Sequence, residues 1–328
     1  MLFTSIPQTS LQTSVLCLGT AGFGSDTSVD ESFAMLDAFV EAGGNIADTA
    51  HIYAAWLPNG WGQSERTLGQ WLRSRRPQNF VVSTKGGHPP LESMEVSRLS
   101  AENIAHDLQE SLDRLQLDSI DLYWMHRDDP AVPALEVIQA LNQQLQTGRI
   151  RAIGASNWSV ARVQEANLQA KQHGMTGFCA SQVGWSLAQV NAAVRGAANT
   201  IQMDDETLRW HRQSGFAQIA YSSQANGFFA TPLPKADAEM TPKQKKLAPS
   251  YLNEENRARY KRAEELAAEL GRTTNEVALS YIWSQSFPGV AIMGPRNLLQ
   301  LTDSLRAADV RLTPQQIQFL EGQQVSTS

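Results

Sequence analysis

Eight times along this 328-residue chain a short apolar run is followed by a segment of helical period, and that alternation constrains the fold more than any other feature. The runs are VLCLG (15–19), NIADT (45–49), FVVSTK (80–85), IDLYWMH (120–126), IRAIGASN (150–157), FCASQVGW (178–185), FAQIAYS (216–222) and VAIMG (290–294). Between them lie amphipathic segments such as VDESFAMLDAFVEAG, SAENIAHDLQESLDRL, VPALEVIQALNQQLQTG and VARVQEANLQAKQHG. Ser100 precedes one of these, and Gly43, Gly148 and Gly174 follow others, as helix caps do. Strands that alternate with helices build a parallel sheet with crossover helices. Eight units in a chain of this length predict an α/β fold of the closed (β/α)8 TIM-barrel type in place of an open doubly wound sheet. No low-complexity linker divides the sequence, so residues 1–328 read as one domain. Residues 2–14 predict a short N-terminal β-hairpin, placed to plug the barrel floor. TPQQIQFLEG predicts an extra C-terminal helix.

In such a barrel, chemistry sits at the C-terminal ends of the strands and in the loops after them. Polar residues close strand after strand there: Asp48, Lys85, His126, Ser156 with Asn157, Gln182, and Tyr221 with Ser222. Taken singly, each has a plain structural reading. Asp48 reads equally as a loop-start residue or helix cap, and His126 as a satisfied core histidine. Tyr53 alone says little. Lys85 ends a very apolar strand and needs a counter-ion, which Asp48 on the neighbouring strand supplies; such a pair also occurs with no role beyond structure. Convergence favours function, because four titratable groups reach one rim from adjacent strands and the loop between two of them.

Composition removes several classes. Net charge is −6, so no basic field exists to hold nucleic acid or an anionic membrane. Hydrophobic residues make up 42%, enough for a large core, yet no run is long enough to span a bilayer. The N-terminus lacks the charged start and apolar stretch of a signal peptide. Cys17 and Cys179 lie in apolar runs and read as reduced core residues, which fits a cytoplasmic protein. The histidines are scattered without metal-ligand spacing, so no metal is expected. No G-x-S-x-G elbow is present. GTAGFG (19–24) fails the dinucleotide fingerprint because Ala21 stands where the second glycine belongs. Trp56 and Trp61, in the loop after Tyr53, are candidate walls of a substrate pocket suited to sugars or other cyclic compounds. Trp124 is expected to fill the barrel interior, and Asp128 and Asp129 to form a solvated turn before Pro130.

LGTAGFG, NIADTAHIYAAW, GQSERTLGQWL, VVSTKGG, SIDLYWMHRDD, IRAIGASNW, SQVGWSL, AYSSQANGFF and AIMGPRNLLQLTDSL together resemble the aldo-keto reductase family over nearly the whole chain. The resemblance implies reversible carbonyl reduction with a nicotinamide cofactor bound across the rim. It implies Tyr53 as proton donor, Lys85 as the group that lowers the phenol's pKa, Asp48 as the lysine's partner and His126 as the residue that orients the carbonyl. Gly19, Thr20 and Asp48 join the cofactor site, with Ser156, Asn157 and Gln182 at the carboxamide and Trp185 stacked on the nicotinamide. Tyr221, Ser222, Ser223, Gln224, Asn226 and Gly227 form the stretch over the pyrophosphate, where this chain reads Ser-Ser-Gln in place of the family's Ser-Pro-Leu. Gly294 and Arg296 open a helix at Asn297, an arrangement suited to a 2′-phosphate and hence to NADP(H) over NAD(H). Gln300, Asp303 and Ser304 match adenosine-contacting positions, with Ser304 in place of the common asparagine. Lys235, Lys243, Lys245 and Lys246 follow in a long insertion, which either closes over the cofactor or stays solvated.

The implied partner is a small carbonyl or alcohol: an aldehyde, ketone, sugar or cyclitol. Two alternatives stand beside this reading. One is a redox-sensing or partner-binding subunit on the same fold with little turnover. The other is a Schiff-base lyase with Lys85 as amine nucleophile.

Overall fold

The computed structural model describes residues 1–195, 200–235 and 238–323. A two-stranded antiparallel hairpin comes first, β1 (Phe3–Ser5) paired with β2 (Gln12–Ser14). Eight parallel strands then close a barrel: β3 (Leu16–Gly19), β4 (Ile46–Asp48), β5 (Val81–Gly86), β6 (Leu122–Met125), β7 (Ile153–Ser156), β8 (Ala180–Gln182), β9 (Ala217–Ala220) and β10 (Gly289–Met293). Each pairs with its neighbours in chain order, and β10 closes on β3. All eight predicted strands and the hairpin are present.

The crossover helices arise where the capping signals predict. They include α1 (Val29–Glu41), α2 (Gln63–Arg75), α3 (Ala101–Leu115), α4 (Ala134–Gln146), α5 (Val160–Gln172) and α6 (Asp205–Ser214). The Ser100 side chain accepts from the Asn103 amide at the start of α3, satisfying an orphan N–H of the first turn. Gly43, Gly148 and Gly174 take positive φ just past α1, α4 and α5. The insertion after β9 forms α7 (Pro242–Tyr251), followed by α8 (Glu254–Leu270) and α9 (Thr274–Trp283). After β10 come α10 (Leu298–Leu305) and α11 (Pro314–Glu321), the latter opened by a Thr313–Gln316 capping box. Among the described residues, no helix is long and apolar enough to cross a membrane.

Two apolar clusters organise the core. The larger fills the space between sheet and helices. The smaller includes Cys17, Ile46, Val81, Leu122, Trp124, Ala217, Ile219 and Val290 with Ile6 and Leu11 from the hairpin, so the hairpin packs onto the barrel interior as expected. Trp124 is fully buried there, and Gly154 makes room for it: a Cβ at 154 would lie 2.2 Å from the indole. Cys17 and Cys179 are free and buried.

Candidate active site

Side chains alternate along a strand, so the file of residues that fills the barrel interior reappears every second position. Two residues above Ile46 is Asp48, four above Val81 is Lys85, and two above Trp124 is His126. The same count on the remaining strands reaches Ser156, Gln182, Tyr221 and Gly294. The rim residues are therefore the polar tops of apolar files.

At the centre, Lys85 Nζ donates to Asp48 Oδ2 at 2.5 Å, to the Thr49 carbonyl at 2.7 Å and to the Tyr53 hydroxyl at 2.9 Å. All three ammonium protons are used, and Lys85 is 1% exposed. Asp48 Oδ1 accepts from Ser83 Oγ at 2.6 Å and from Gln182 Nε2 at 3.1 Å. Ser83 accepts in turn from the Trp124 indole at 3.0 Å. The chain beyond β4 stays beside β5, with the Thr49 amide donating to Ser83 O and the His51 amide to Lys85 O. It then turns through Ala54 at φ 66°, which lays the Tyr53 ring over Lys85 with Nζ 4.5 Å from its centroid.

Burial alone would push Lys85 down, but the Asp48 carboxylate and Tyr53 outweigh it and leave its pKa above the ordinary lysine value. Burial raises the Tyr53 phenol above its ordinary value; the nearby Lys85 and Arg127 charges pull the other way without reversing it. Lys85 thus pulls the phenol's pKa down, the direction the resemblance implies, while enclosure of the hydroxyl outweighs it. The His126 ring lies 6.0 Å from that of Tyr53, edge-on. Burial, followed by the Lys85 charge, holds His126 well below the ordinary histidine value, so its imidazole is neutral. Among the described residues its Nδ1 has no hydrogen-bond partner.

Ser156, Asn157, Gln182 and Tyr221 form a connected group. Ser156 Oγ donates to Gln182 O at 3.0 Å, and the Tyr221 hydroxyl donates to Asn157 Oδ1 at 2.8 Å. Asn157 holds a left-handed conformation, φ 58°, which asparagine tolerates. Ser223 Oγ donates to Ile292 O, and Gln224 Nε2 reaches Ser304 Oγ at 2.9 Å. The Ser-Ser-Gln stretch thus ties β9 to β10 and α10, ending in a tight turn at Asn226 and Gly227 with positive φ at both. The insertion docks on this turn. Phe228, Phe229, Tyr251 and Tyr260 pack together, and Lys243 Nζ donates to Asn226 O at 2.6 Å. Arg296 stands beyond Gly294 with its amide bonded to Gln300 Oε1, and Asn297 caps α10.

Several expected residues sit elsewhere. The Trp185 ring stacks on Phe287, 5.6 Å away at 27°, and meets Tyr281 edge-on. It is 6% exposed, so its near face is already occupied by the core and the aromatic joined to Asn157 is Tyr221. Thr20 is fully buried with its hydroxyl bonded to Asp48 O and Ser64 Oγ; it braces the end of β4. Gly19 provides close contact with β10, since a Cβ there would lie 2.8 Å from Met293 O. Asp303 is engaged by Arg306 and by Asn275 Nδ2. Trp61 leans on His51 and lies under the Arg114 guanidinium. Of these two tryptophans it is Trp56, 52% exposed and 6.3 Å from the Tyr53 ring, that flanks the phenol. Asp128 is not a solvated turn residue but pairs with Arg162 at 3.0 Å. His51 turns outward to Glu110 at 2.6 Å.

Two residues went unnoticed in the sequence. His88 places its ring 4.8 Å from that of His126; a histidine two residues past the end of β5 was the available signal. Arg127, directly after His126, is the other. A cavity of about 560 Å³ opens nearby, bordered by Trp185, Ser222, Arg212, Arg259 and Tyr281, but none of Asp48, Tyr53, Lys85 or His126 lines it.

A chain that folds into this parallel barrel has counterparts among known proteins along nearly its whole length. The chain belongs to the Aldo/keto reductase family, whose model matches residues 15–323. It is 30% identical to an uncharacterized oxidoreductase, YrpG, of Bacillus subtilis (strain 168), over 98% of this chain and 95% of that protein. It is 28% identical to norsolorinic acid reductase B of Aspergillus parasiticus, over 96% of this chain and 82% of that one. A probable voltage-gated potassium channel subunit beta of Oryza sativa subsp. japonica is also 28% identical, over 98% and 96%. The fold matches that of a thermostable aldo-keto reductase, Tm1743, solved with the inhibitor epalrestat, at a TM-score of 0.73, 21% identity and coverage of 98% and 99%. The chain is accordingly an oxidoreductase of the carbonyl-reducing class.

Proposed function

We propose that this protein interconverts a small aldehyde or ketone, sugar and cyclitol carbonyls included, with its alcohol, using NADP(H), and that Tyr53 is the proton donor and acceptor. The observation that carries the proposal is the 2.9 Å contact between the Tyr53 hydroxyl and Lys85 Nζ, within a lysine otherwise held by Asp48 and Thr49. A phenol of pKa about 10 is a poor acid in neutral water. Here it stays protonated at rest, which suits reduction, and gives up its proton beside an ammonium fixed to receive the phenolate's charge. Neutral His126 offers a ring N–H to the carbonyl oxygen from the other side. When bound, the nicotinamide supplies or accepts the hydride.

Ser156, Asn157 and Gln182 are the residues to hold its carboxamide, with Tyr221 as the adjoining ring. Ser222 to Gly227 and Gly294 would cradle the phosphates, and Gln300 and Ser304 the adenosine. The fit to a phosphate-rich group rests on charge: among the described residues Lys243, Lys246 and Arg296 form no ion pair. Burial and the charges of Arg296 and Lys246 depress the pKa of Lys243, so Lys243 feels both neighbouring cations, and an anion bound beside it relieves that repulsion. This favours NADP(H) over NAD(H).

Tyr53→Phe tests the proposal with NADPH and 4-nitrobenzaldehyde. Turnover should fall by about 10²–10⁴-fold, the range for loss of a general acid, while NADPH binding persists. Turnover near the wild-type level would refute the assignment. The rice relative's name favours a second reading, a nucleotide-binding sensing subunit with little turnover. Tight NADPH binding by the wild type with no reduction of any carbonyl in a broad panel would select it.

A further inference from the structure

Arg127 is a cation beside the rim that neither the barrel nor the cofactor reading employs. Its Nε is enclosed and, among the described residues, has no hydrogen-bond partner, and its guanidinium makes no ion pair with any of them. The other enclosed arginines differ. Arg114 pairs with Glu65 and Glu110, Arg212 with Glu321, and Arg259 with Glu255. The carboxylates next to Arg127 in sequence are engaged elsewhere: Asp128 by Arg162, and Asp129 by the Ala131 amide of its own turn. The main chain at 127 is pinned, because its carbonyl accepts from the Trp158 indole. Arg127 is therefore a partly desolvated cation without a counter-ion among the described residues.

Arg127 directly follows His126, and the Asn157 amide on the His126 carbonyl and the Trp158 indole on its own carbonyl hold this end of β6 beside the rim cluster. Its charge reaches Tyr53, His88 and His126. Removing a guanidinium from water without a partner is costly. An incoming oxyanion recovers that cost, and the guanidinium fork matches carboxylate and phosphate geometry. We propose that Arg127 anchors an oxyanion on the substrate, so that the preferred carbonyl compounds carry a carboxylate or phosphate away from the reacting carbon. This rests on the carbonyl-reducing reading of the same site.

The test compares matched pairs: 4-oxobutanoate with butanal, 4-formylbenzoate with its methyl ester, and glyceraldehyde 3-phosphate with glyceraldehyde. Wild type should favour the anionic member of at least one pair in kcat/KM, and which pair responds separates carboxylate from phosphate. In Arg127→Met the anionic member should lose about ten- to one-hundred-fold more than its neutral partner, the loss set by one charge-assisted hydrogen bond. Arg127→Lys should recover part of that difference, which also guards against a folding defect. No anionic preference in wild type overturns the proposal. So does an equal loss on both members, which assigns the charge to Tyr53, or a loss traced to weaker NADPH binding. If wild type reduces neither member of any pair, the carbonyl reading fails by itself. Calorimetric titration of the NADP-loaded protein with 4-formylbenzoate and its ester then decides the anchor: anion binding lost in Arg127→Met supports it, and no selective binding overturns it.

Discussion

Asp48→Asn is the sharpest perturbation of the rim because it changes one atom in a closed network. The amide oxygen can still accept from Ser83 and Gln182. The amide nitrogen then stands where Oδ2 was, 2.5 Å from Lys85 Nζ, donor against donor. Lys85 keeps Thr49 O and the Tyr53 hydroxyl but loses its only carboxylate, in a position 1% exposed. Breaking a buried pair in this way costs about 3–5 kcal/mol. The lysine has one escape, which is to shed its proton. Doing so at pH 7 from an ordinary pKa of about 10.4 costs about 4.6 kcal/mol, and that bounds the penalty from above. Against a total stability of about 5–15 kcal/mol the loss is large. Urea unfolding followed by tryptophan fluorescence measures it. Asp48→Asn should lose about 3–4.5 kcal/mol at pH 7, and adding Lys85→Met should restore part of it by removing the stranded charge. The pH dependence has a definite sign. In the variant, burial depresses the folded-state pKa of Lys85, so between that value and the ordinary lysine pKa the unfolded chain binds more protons and stability rises with pH. In wild type the folded pKa is raised, so its contribution is intact across the same window, and the deficit should narrow from pH 7 to about 10. A deficit under about 1 kcal/mol, or one that does not narrow, would refute the account of Lys85 as an ammonium held by Asp48.

Two further outcomes follow from other sites. Arg296→Ala should weaken NADPH binding by about tenfold or more and NADH binding by less; equal losses in equilibrium titrations would remove the case for a 2′-phosphate contact. His211 is fully buried, with a ring nitrogen 2.7 Å from Phe216 O and the other 3.1 Å from Ser181 Oγ, and burial pushes its pKa down to about 4. The folded protein keeps it neutral while the unfolded chain takes up a proton below about pH 6.5, so stability is lost as pH falls from 6.5 toward 4. The effect is about 2 kcal/mol at pH 5. In urea unfolding at pH 7.5 and pH 5, His211→Gln should show a smaller acid loss than wild type, and superimposable losses would exclude His211 as a source.

Much of this was legible because a barrel strand obeys one rule. Inward positions alternate, the file is largely apolar below the rim, and the polar residue at its top is a candidate for chemistry. Asp48, Lys85, His126, Ser156 and Gln182 all follow from that count. The same count argues against Trp185: Gln182 and Gly184 share the inward parity and Trp185 does not, so its indole goes to Phe287 and Tyr281. What lies beyond a strand end is set by loop backbone, which no period describes. The return of Tyr53 over Lys85 depends on main-chain bonds from Thr49 and His51 to β5 and on a left-handed Ala54. The partners of Thr20 and Asp303 were hidden for a related reason, since each is brought in from another element, Ser64 and Asn275.

The protonation state of Lys85 separates the two chemistries that its rim position allows. A Schiff base needs a neutral amine with a free lone pair. Here each N–H of the side chain points at an oxygen, two of them on the lysine's own barrel neighbours, Asp48 and Thr49. Those contacts hold the ammonium form and leave no face of the nitrogen open to a carbonyl carbon. The third oxygen is a phenol, the one of the three partners that carries a proton to give. The same geometry that removes Lys85 as a nucleophile therefore makes it a fixed positive charge beside Tyr53, and the reactive proton of the rim belongs to the tyrosine.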